Sequence, residues 1–235
     1  MNKLELEKLL VETFKIQDLS VLESLYIYYE MLYETSKVMN LTTIVEFEEA
    51  YIKHFYDSLL MSKVVDLSKD LTLADVGTGA GFPGLVLKIV YPNLKVTLIE
   101  PLTKRCKFLQ SVIDKLELKD IVIVNDRAEN AVKNLRESFD VVTARAVASL
   151  NVLSEICTPF VKVNGIFVAL KGSSYQEEID NACNAVGKLK IKLFKKQLFE
   201  LPFNLGERSI LVYRKYENTP NSYPRIYAKI KKNPL

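Results

Sequence analysis

Cysteine, histidine and long apolar runs are scarce in this sequence, and each scarcity excludes a class of protein. The three cysteines, Cys106, Cys157 and Cys183, are widely spaced, odd in number and without histidines nearby, so neither a disulfide framework nor a zinc site is indicated. No apolar run is long enough to span a bilayer, and the stretch from Met1 to Glu7 lacks the apolar core of a signal peptide. We therefore expect a cytoplasmic protein with no metal ion and no membrane partner.

The composition is typical of a soluble globular protein, but charge is distributed unevenly along the chain. The 235 residues are 49% hydrophobic and 26% charged, enough for one sizeable α/β domain with a small extension. Residues 1–60 hold 11 acidic and 5 basic residues, whereas residues 188–235 hold 12 basic and 3 acidic ones. A basic C-terminal fifth favours a polyanionic partner at that end of the molecule.

A glycine-rich stretch from Leu73 to Gly84, with the sequence LADVGTGAGFPG, organises the rest of the chain. An apolar run precedes the glycines and an apolar run follows them, which predicts a strand, a turn and the N-terminus of a helix. Glycines such as Gly77 and Gly79 let a ligand come close to the backbone, and the helix N-terminus offers free N–H groups to an anion. This arrangement predicts a nucleotide-type binding site.

The glycines alone do not identify the ligand. Residues 79–84 also satisfy the dinucleotide pattern G-x-G-x-x-G, so NAD is one alternative and a structural turn without a ligand is another. Asp75, directly before the loop, would repel a pyrophosphate and suits a cationic or amino-bearing ligand. Glu100 ends the next predicted strand, where an acid can bind the ribose hydroxyls of an adenosine-type ligand. Glu100 would suit NAD as well and so supports only an adenosine-type ligand, whereas S-adenosylmethionine fits the whole better, because its sulfonium and amino groups attract carboxylates.

Hydrophobic periodicity predicts helices first and then strands that alternate with helices. The N-terminal helices are predicted at 2–14, 19–37 and 46–64. The strands are predicted at 71–76, 95–99, 120–124, 139–143, 164–170, 189–199 and 208–214. The helices between them are predicted at 82–91, 103–117, 128–136, 148–160 and 174–187.

This alternation predicts an α/β protein with a doubly wound, mostly parallel, seven-stranded sheet. The last two strands have no room for a crossover helix between them, so they should pair as an antiparallel hairpin. Such a sheet is the layout of class I (Rossmann-like) methyltransferases. We expect residues 1–65 to form a helical extension packed on a methyltransferase domain of residues 66–235.

Ordered motifs over nearly the full length resemble the RsmG (GidB) family, bacterial methyltransferases of the 16S RNA of the small ribosomal subunit. Besides the glycine loop, the motifs are Asn40-Leu41-Thr42, His54 with Asp57-Ser58-Leu59, Lys104-Arg105, Phe108-Leu109, Arg127-Ala128-Glu129, Ala144-Arg145-Ala146, Lys171-Gly172, Tyr223-Pro224-Arg225 and Lys232-Asn233-Pro234-Leu235. The resemblance implies methyl transfer from S-adenosylmethionine to N7 of a guanine in the 530 loop of 16S rRNA, the guanine-527 type of site. The implied partner is 16S rRNA or the small ribosomal subunit, and we expect the protein to be a monomer.

The resemblance also implies which residues contact the cofactor. These are Gly77, Phe82, Ala128, Glu129 and Arg145, with Glu100 at the ribose position. Two segments depart from the family's usual sequence. Pro101-Leu102 follows Glu100 where a serine is more common, and residues 225–229 lack a glycine that the family usually has, although the segment keeps its basic character.

Guanine N7 has an in-plane lone pair, so its methylation removes no proton and requires no general base. Catalysis then reduces to holding N7 in line with the sulfonium methyl group in a water-poor site. The sequence lacks the Asp/Asn-Pro-Pro-Tyr/Phe run with which amino-group methyltransferases hold an exocyclic amine, and it lacks the Pro-Cys nucleophile of C5 pyrimidine methylation. It therefore identifies no catalytic acid or base.

Arg145 is the first candidate for a functional side chain, because it follows an apolar strand at the edge of the sheet where ligands bind. It could hold the cofactor, approach an RNA phosphate or hydrogen-bond guanine O6, and the alternative is a salt bridge to a loop acid such as Glu129. His54 is the only histidine, and on a helix it shares a face with Asp57. We interpret His54 as a structural hydrogen-bonding group rather than a catalytic one.

Basic residues near the end of the chain predict an RNA-facing surface. Tyrosines that can stack on splayed bases lie between them. The basic residues are Arg225, Lys229, Lys231 and Lys232, and Lys171 with Arg145 forms a second candidate for contact with RNA. The alternative for the tail is a solvated end without a ligand. Two rival functions also remain open, an NAD-linked oxidoreductase and a non-catalytic RNA-binding protein with a vestigial cofactor pocket.

Overall fold

The computed structural model describes residues 2–145 and 148–235, and within them seven strands form one sheet. The strands are β1 (Thr72–Val76), β2 (Lys95–Ile99), β3 (Ile121–Val124), β4 (Phe139–Arg145), β5 (Val161–Lys171), β6 (Ile191–Glu200) and β7 (Glu207–Lys215). Their order across the sheet is β3-β2-β1-β4-β5-β7-β6, and β7 runs antiparallel to both of its neighbours. The predicted doubly wound sheet with its terminal hairpin is confirmed.

The strand order reverses at β1, and this reversal places the ligand crevice. Strands β2 and β3 lie on one side of β1, and β4 and β5 lie on the other. In open α/β sheets, ligands bind beyond the carboxyl ends of the strands at such a switch point. Val76 ends β1 and Arg145 ends β4, so these two residues flank the crevice. Ala146, which completes the predicted Ala144-Arg145-Ala146 motif, lies outside the described residues.

Helices cover both faces of the sheet. They are α1 (Lys3–Phe14), α2 (Ser20–Ser36), α3 (Phe47–Ala50), α4 (Asp57–Leu59), α5 (Gly84–Val90), α6 (Thr103–Lys115), α7 (Ala128–Leu135), α8 (Leu150–Cys157), α9 (Tyr175–Asn181), α10 (Cys183–Lys188) and α11 (Tyr227–Lys232). A π-helical turn (Tyr51–Tyr56) joins α3 to α4 and a 3-10 turn (Leu60–Lys63) follows, so residues 47–63 form one irregular helical segment, here called the third helical segment. None of the described helices has both the length and the apolar character needed to cross a bilayer.

Two apolar clusters hold the helices on the sheet. On one face, Leu25 of α2, Phe55 of the third helical segment and Leu85 of α5 belong to the same buried cluster. On the other face, Leu153 of α8 and Ile230 of α11 belong to a second cluster. The N-terminal helices therefore pack on the helices that follow β1 and β2, and the C-terminal helix packs on the opposite face.

Several predicted helices differ from the observed ones at their ends. The helix predicted at 82–91 begins at Gly84, whose N–H is bound by the Asp75 carboxylate rather than by helical backbone. The helix predicted at 148–160 changes to a 3-10 turn after Cys157. The helix predicted at 174–187 is divided into α9 and α10 at Ala182, which is fully buried in the second cluster.

Gly84, the first residue of α5, leaves no room for a side chain. A Cβ atom there would lie 2.7 Å from Leu98 Cδ2 and 2.8 Å from Asp75 Cβ. We expect Gly84→Ala to lower the free energy of unfolding by about 1–3 kcal/mol, because overfilling a packed core forces its neighbours apart. Gly187→Ala in α10 is the matched control, since a Cβ there would meet no atom within 4 Å. Denaturant unfolding compares the two variants, and equal stabilities would contradict this packing argument.

Candidate active site

Asp75, near the end of β1, stabilises the glycine loop between β1 and α5. Asp75 Oδ2 accepts hydrogen bonds from Thr78 Oγ1 at 2.6 Å and from the Gly84 N–H at 2.8 Å. The side chain is fully buried, and burial raises the pKa of its carboxyl group to about 6. The expectation that Asp75 faces a cationic ligand is therefore wrong, because its carboxylate points into the loop and stabilises the conformation of the loop.

Tyr28 of α2 supports the same loop from the other side. Its hydroxyl donates to the Ala80 carbonyl oxygen, and its ring stacks on Phe82 with 5.4 Å between centroids. A Cβ atom at Gly81 would lie 2.5 Å from the Tyr28 hydroxyl oxygen. The sequence analysis did not single out Tyr28. The buried positions of α2 are Val21, Leu25, Tyr28 and Leu32, a spacing of four, three and four that could have identified it.

Beyond β1 and β2 lies an apolar cavity of about 260 Å³. Its lining is Val76, Gly77, Ile99, Pro101, Arg127, Ala128, Glu129, Leu153, Ile156 and Tyr227. Ala128 and Glu129, predicted as cofactor contacts, lie together here in the first turn of α7. The α8 residues and Tyr227 were not predicted, because they reach the cavity only through the folding of distant segments. A flat apolar ring is the kind of ligand group that suits these walls.

Glu100 lines a second, more polar cavity of about 470 Å³, and it lies next to Pro101 in the chain. Its carboxylate accepts hydrogen bonds from the Gly79 N–H and the Leu102 N–H, both at 3.0 Å, and Arg105 lies 3.7 Å away. Gly77 and Pro101 line both cavities. The predicted residues Gly77, Gly79, Phe82, Glu100 and Arg145 all line the polar cavity, so the structure brings them together.

Arg145 crosses from β4 to the third helical segment. Its guanidinium donates to the Lys53 carbonyl oxygen at 3.0 Å and to Asp57 Oδ2 at 3.1 Å, and it lies 4.9 Å from the centroid of the Phe82 ring. Asp57 is the counterion, whereas Glu129 lies 3.9 Å from Arg127 instead. The alternative pairing of Arg145 with Glu129 is therefore wrong. The Lys53 carbonyl belongs to the π-helical turn, a distortion that is often found at functional sites.

His54 is fixed in one tautomer by its neighbours. Arg145 can only donate, so Nδ1 accepts from its Nη2 at 3.3 Å, and Nε2 then carries the proton toward Thr42 Oγ1 at 3.1 Å. The imidazole stacks on Phe82 with 4.4 Å between ring centroids. Burial and the nearby Arg145 charge lower the pKa of His54 to about 3. This geometry agrees with the interpretation of His54 as a structural group.

A third cavity of about 300 Å³ continues from the polar one past His54 and Arg145. Arg208 of β7 lines it and lies 3.2 Å from Asp57 Oδ1, so one carboxylate joins two arginines. Lys171 also lines this cavity, but its ammonium group is bound to Glu178 at 2.6 Å and to the Ala148 carbonyl at 2.7 Å. Arg208 was not predicted, because a single arginine in a strand belongs to no recognisable sequence motif.

The predicted RNA-binding residues of the tail divide into two groups. Lys229, Lys231 and Lys232 are exposed on α11. Arg225 instead binds Glu155 of α8 at 2.5 Å, and this carboxylate is completely buried. We therefore assign Arg225 a structural role rather than an RNA contact.

The buried neutral state of His54 makes the stability of the protein depend on pH. Below its ordinary pKa of 6.5 the histidine gains a proton in the unfolded chain but not in the folded one, so folding becomes less favourable as the pH falls. We expect the free energy of unfolding of the native protein to drop by about 2 kcal/mol from pH 7.5 to pH 5, relative to His54→Gln. Because both proteins keep Asp75, its opposite pH dependence cancels. Denaturant titrations at both pH values measure the difference, and a pH-independent difference would contradict the neutral, buried state.

Comparison with known proteins identifies the family. A family model described as rRNA small subunit methyltransferase G (GidB) matches residues 21–202. Ribosomal RNA small subunit methyltransferase G of Staphylococcus saprophyticus is 49% identical over 209 residues, which cover 88% of this chain and 87% of that protein. The protein of the same name from Bacillus cytotoxicus is 48% identical over 216 residues, covering 91% of this chain and 90% of that protein.

Solved structures resemble the chain in fold. The SAM-dependent O-methyltransferase of Thermotoga maritima matches with a TM-score of 0.54 and 15% identity over 75% of this chain and 72% of that one. TYW2 of M. jannaschii, in complex with AdoMet, matches with a TM-score of 0.53 and 16% identity over 69% of this chain and 76% of that one. These likenesses confirm the predicted class I methyltransferase fold. The matches in sequence go further and confirm the resemblance: the chain belongs to the GidB family, rRNA small subunit methyltransferase G.

Proposed function

We propose that this protein transfers the methyl group of S-adenosylmethionine to N7 of a guanine in the 530 loop of 16S rRNA, the guanine-527 type of site. Family membership makes it an rRNA methyltransferase that depends on S-adenosylmethionine, and it disfavours both rival functions. The proposal adds the target atom, the target loop and the residues that hold each ligand. It includes action in the cytoplasm, where ribosomal subunits are assembled, by a monomer.

The apolar and polar cavities lie side by side, in an arrangement that suits the apolar adenine ring and the polar remainder of S-adenosylmethionine. The apolar cavity suits the adenine ring, with Ala128 and Glu129 at its edge. Glu100 lines the polar cavity, where its remaining lone pairs can accept the ribose hydroxyls. Gly79 lines the polar cavity with a φ of +62°, and a Cβ there would meet no atom closer than Arg105 Nη1 at 4.0 Å. The missing side chain of Gly79 thus leaves room for a ligand, and Gly77, Phe82 and Arg145 complete the wall.

The charge pattern of the third cavity suits the target nucleotide. Lys53, Arg145 and Arg208 line it together with Asp57, which is shared between the two arginines. A nucleotide enters such a cavity with its phosphate toward the guanidinium groups and its base toward the polar cavity, since Arg145 lines both. Lys171, which lines the same cavity, donates to the Ala148 carbonyl oxygen.

The absence of an available base around Arg145 is the observation that carries the assignment to N7. The two titratable groups that bind Arg145 are both engaged, since each nitrogen of His54 has a hydrogen-bond partner and Asp57 is paired with two arginines. The other carboxylates that line these cavities are also bound, Glu100 to the Gly79 and Leu102 N–H groups and Glu178 to Lys171. When bound, S-adenosylmethionine supplies an electrophilic methyl group on a sulfonium. A target nitrogen that already has a lone pair needs only correct alignment beside Phe82 and Arg145, whereas an exocyclic amine or a protonated ring nitrogen must lose a proton.

Mapping the modified nucleotide tests the proposal directly. We expect the purified protein with radiolabelled S-adenosylmethionine to produce 7-methylguanosine at one position in the 530 loop, in naked 16S rRNA or in small subunits from a strain without the enzyme. A matched RNA with 7-deazaguanosine at that position has no N7 lone pair and should accept no label. Label on the 7-deaza RNA, or a methyl group on another atom or in another loop, would refute the assignment.

The exposed lysines of α11 provide a second test, of the RNA-binding surface. Replacing Lys229, Lys231 and Lys232 with alanine should weaken RNA binding and leave the affinity for S-adenosylmethionine unchanged. Each lost phosphate contact should also flatten the plot of log affinity against log salt by about one unit. The control replaces Lys8, Lys69 and Lys119, three exposed lysines elsewhere that remove the same net charge. Equal slopes for both triple variants would mean that RNA binds away from α11.

A further inference from the structure

One wall of the apolar cavity comes from the end of the chain. Tyr227 of α11 lines this cavity together with Leu153 and Ile156 of α8 and with residues of β1, β2 and α7. The match to the family model ends at residue 202, so Tyr227 lies outside it. The cavity therefore includes a wall from outside the part of the chain that the family model matches.

Residues 216–235, here called the C-terminal segment, are fastened to the core by charged side chains. Arg136 donates to the carbonyl oxygens of Tyr223 at 2.9 Å, Thr219 at 2.7 Å and Pro220 at 3.1 Å. The Thr219 N–H donates to the adjacent Glu137 at 2.9 Å. Because the N–H and carbonyl groups of this stretch bind fixed side chains, the segment follows one path over the core.

Arg225 fastens the segment a second time, next to the cavity. Its backbone N–H and its Nε both donate to Glu155 Oε1, at 2.9 and 2.8 Å, and its Nη2 also binds the Asn233 carbonyl at 3.1 Å. Glu155 lies on α8 between the two cavity residues Leu153 and Ile156. The ion pair thus attaches the base of α11 to the helix that forms the neighbouring wall. Ile230, fully buried, anchors the other end of α11.

We propose that the C-terminal segment completes the cofactor site and that Tyr227 contacts the adenine ring of S-adenosylmethionine. The proposal rests on the proposed function, since it requires that cofactor in this cavity. The walls from the sheet and from α8 are aliphatic, so Tyr227 supplies the aromatic surface against which a purine can pack. Stacking of an aromatic side chain on a base raises affinity by about fivefold or more. Arg225 and Glu155 are positioning residues that hold the ring at the cavity.

Tryptophan fluorescence gives a test that is independent of catalysis. The native chain contains no tryptophan, so Tyr227→Trp introduces a single reporter at the cavity. Titration with S-adenosylmethionine should change its emission with the same Kd that calorimetry gives. The control is Phe194→Trp, because Phe194 is exposed on β6, the edge strand at the end of the sheet away from β1 and β2. Its emission should not respond.

Affinity measurements complete the test. We expect Tyr227→Ala to raise the Kd for S-adenosylmethionine about tenfold and Tyr227→Phe to leave it within about twofold, with unchanged thermal midpoints. The double variant Glu155→Gln with Arg225→Gln, which removes the ion pair without leaving a buried charge, should also raise the Kd. If the native protein binds S-adenosylmethionine but Tyr227→Ala binds equally well, the proposal for the C-terminal segment fails alone. Loss of RNA affinity only in Tyr227→Ala would likewise overturn it. If the native protein itself does not bind S-adenosylmethionine, the proposed function fails.

Discussion

The carboxylate of Asp57 joins three parts of the chain that are distant in sequence, and the active site depends on it. Its two oxygens bind Arg145 of β4 and Arg208 of β7, while its backbone belongs to the third helical segment. Arg145 in turn reaches the Lys53 carbonyl and His54 in the turn before α4. Without this carboxylate, two guanidinium groups would face each other across the cavity and repel. The helical segment at the N-terminus is thus part of the site and does more than cover the sheet.

A buried carboxylate between two arginines need not add much net stability, because removing three charges from water is unfavourable. Its value here lies in geometry. The pairing fixes the direction of both guanidinium groups, and the stacking of His54 and the contact of Arg145 with Phe82 extend that order to the glycine loop. Tyr28 fixes the other side of the loop through the Ala80 carbonyl. A continuous set of contacts therefore runs from β7 to the glycine loop.

The parts of this molecule that were predictable from sequence are those set by local pattern. The alternation of strands and helices follows from short apolar runs, and the loop from Asp75 to Gly84 is marked by glycines between two apolar runs, so both were predicted. Tyr28, Arg208 and the partner of Arg145 were not, because each acts through a residue more than 50 positions away. Asp75 shows the limit most clearly. Its position after an apolar run suggested a ligand contact, yet the carboxylate satisfies the N–H and hydroxyl groups of its own loop.

The same contacts that order the site also determine its chemistry. Arg145 occupies Nδ1 of His54 and pairs with Asp57, and these two groups would otherwise be the natural proton acceptors beside Phe82. An enzyme that had to deprotonate its target would need at least one of them free, with a pKa near the working pH. A target nitrogen with its own lone pair needs no proton acceptor, since alignment with the methyl group alone lowers the barrier. Any movement of the cavity walls would disturb that alignment. Under the proposed function, the network that engages His54 and Asp57 also provides the rigidity that the transfer requires.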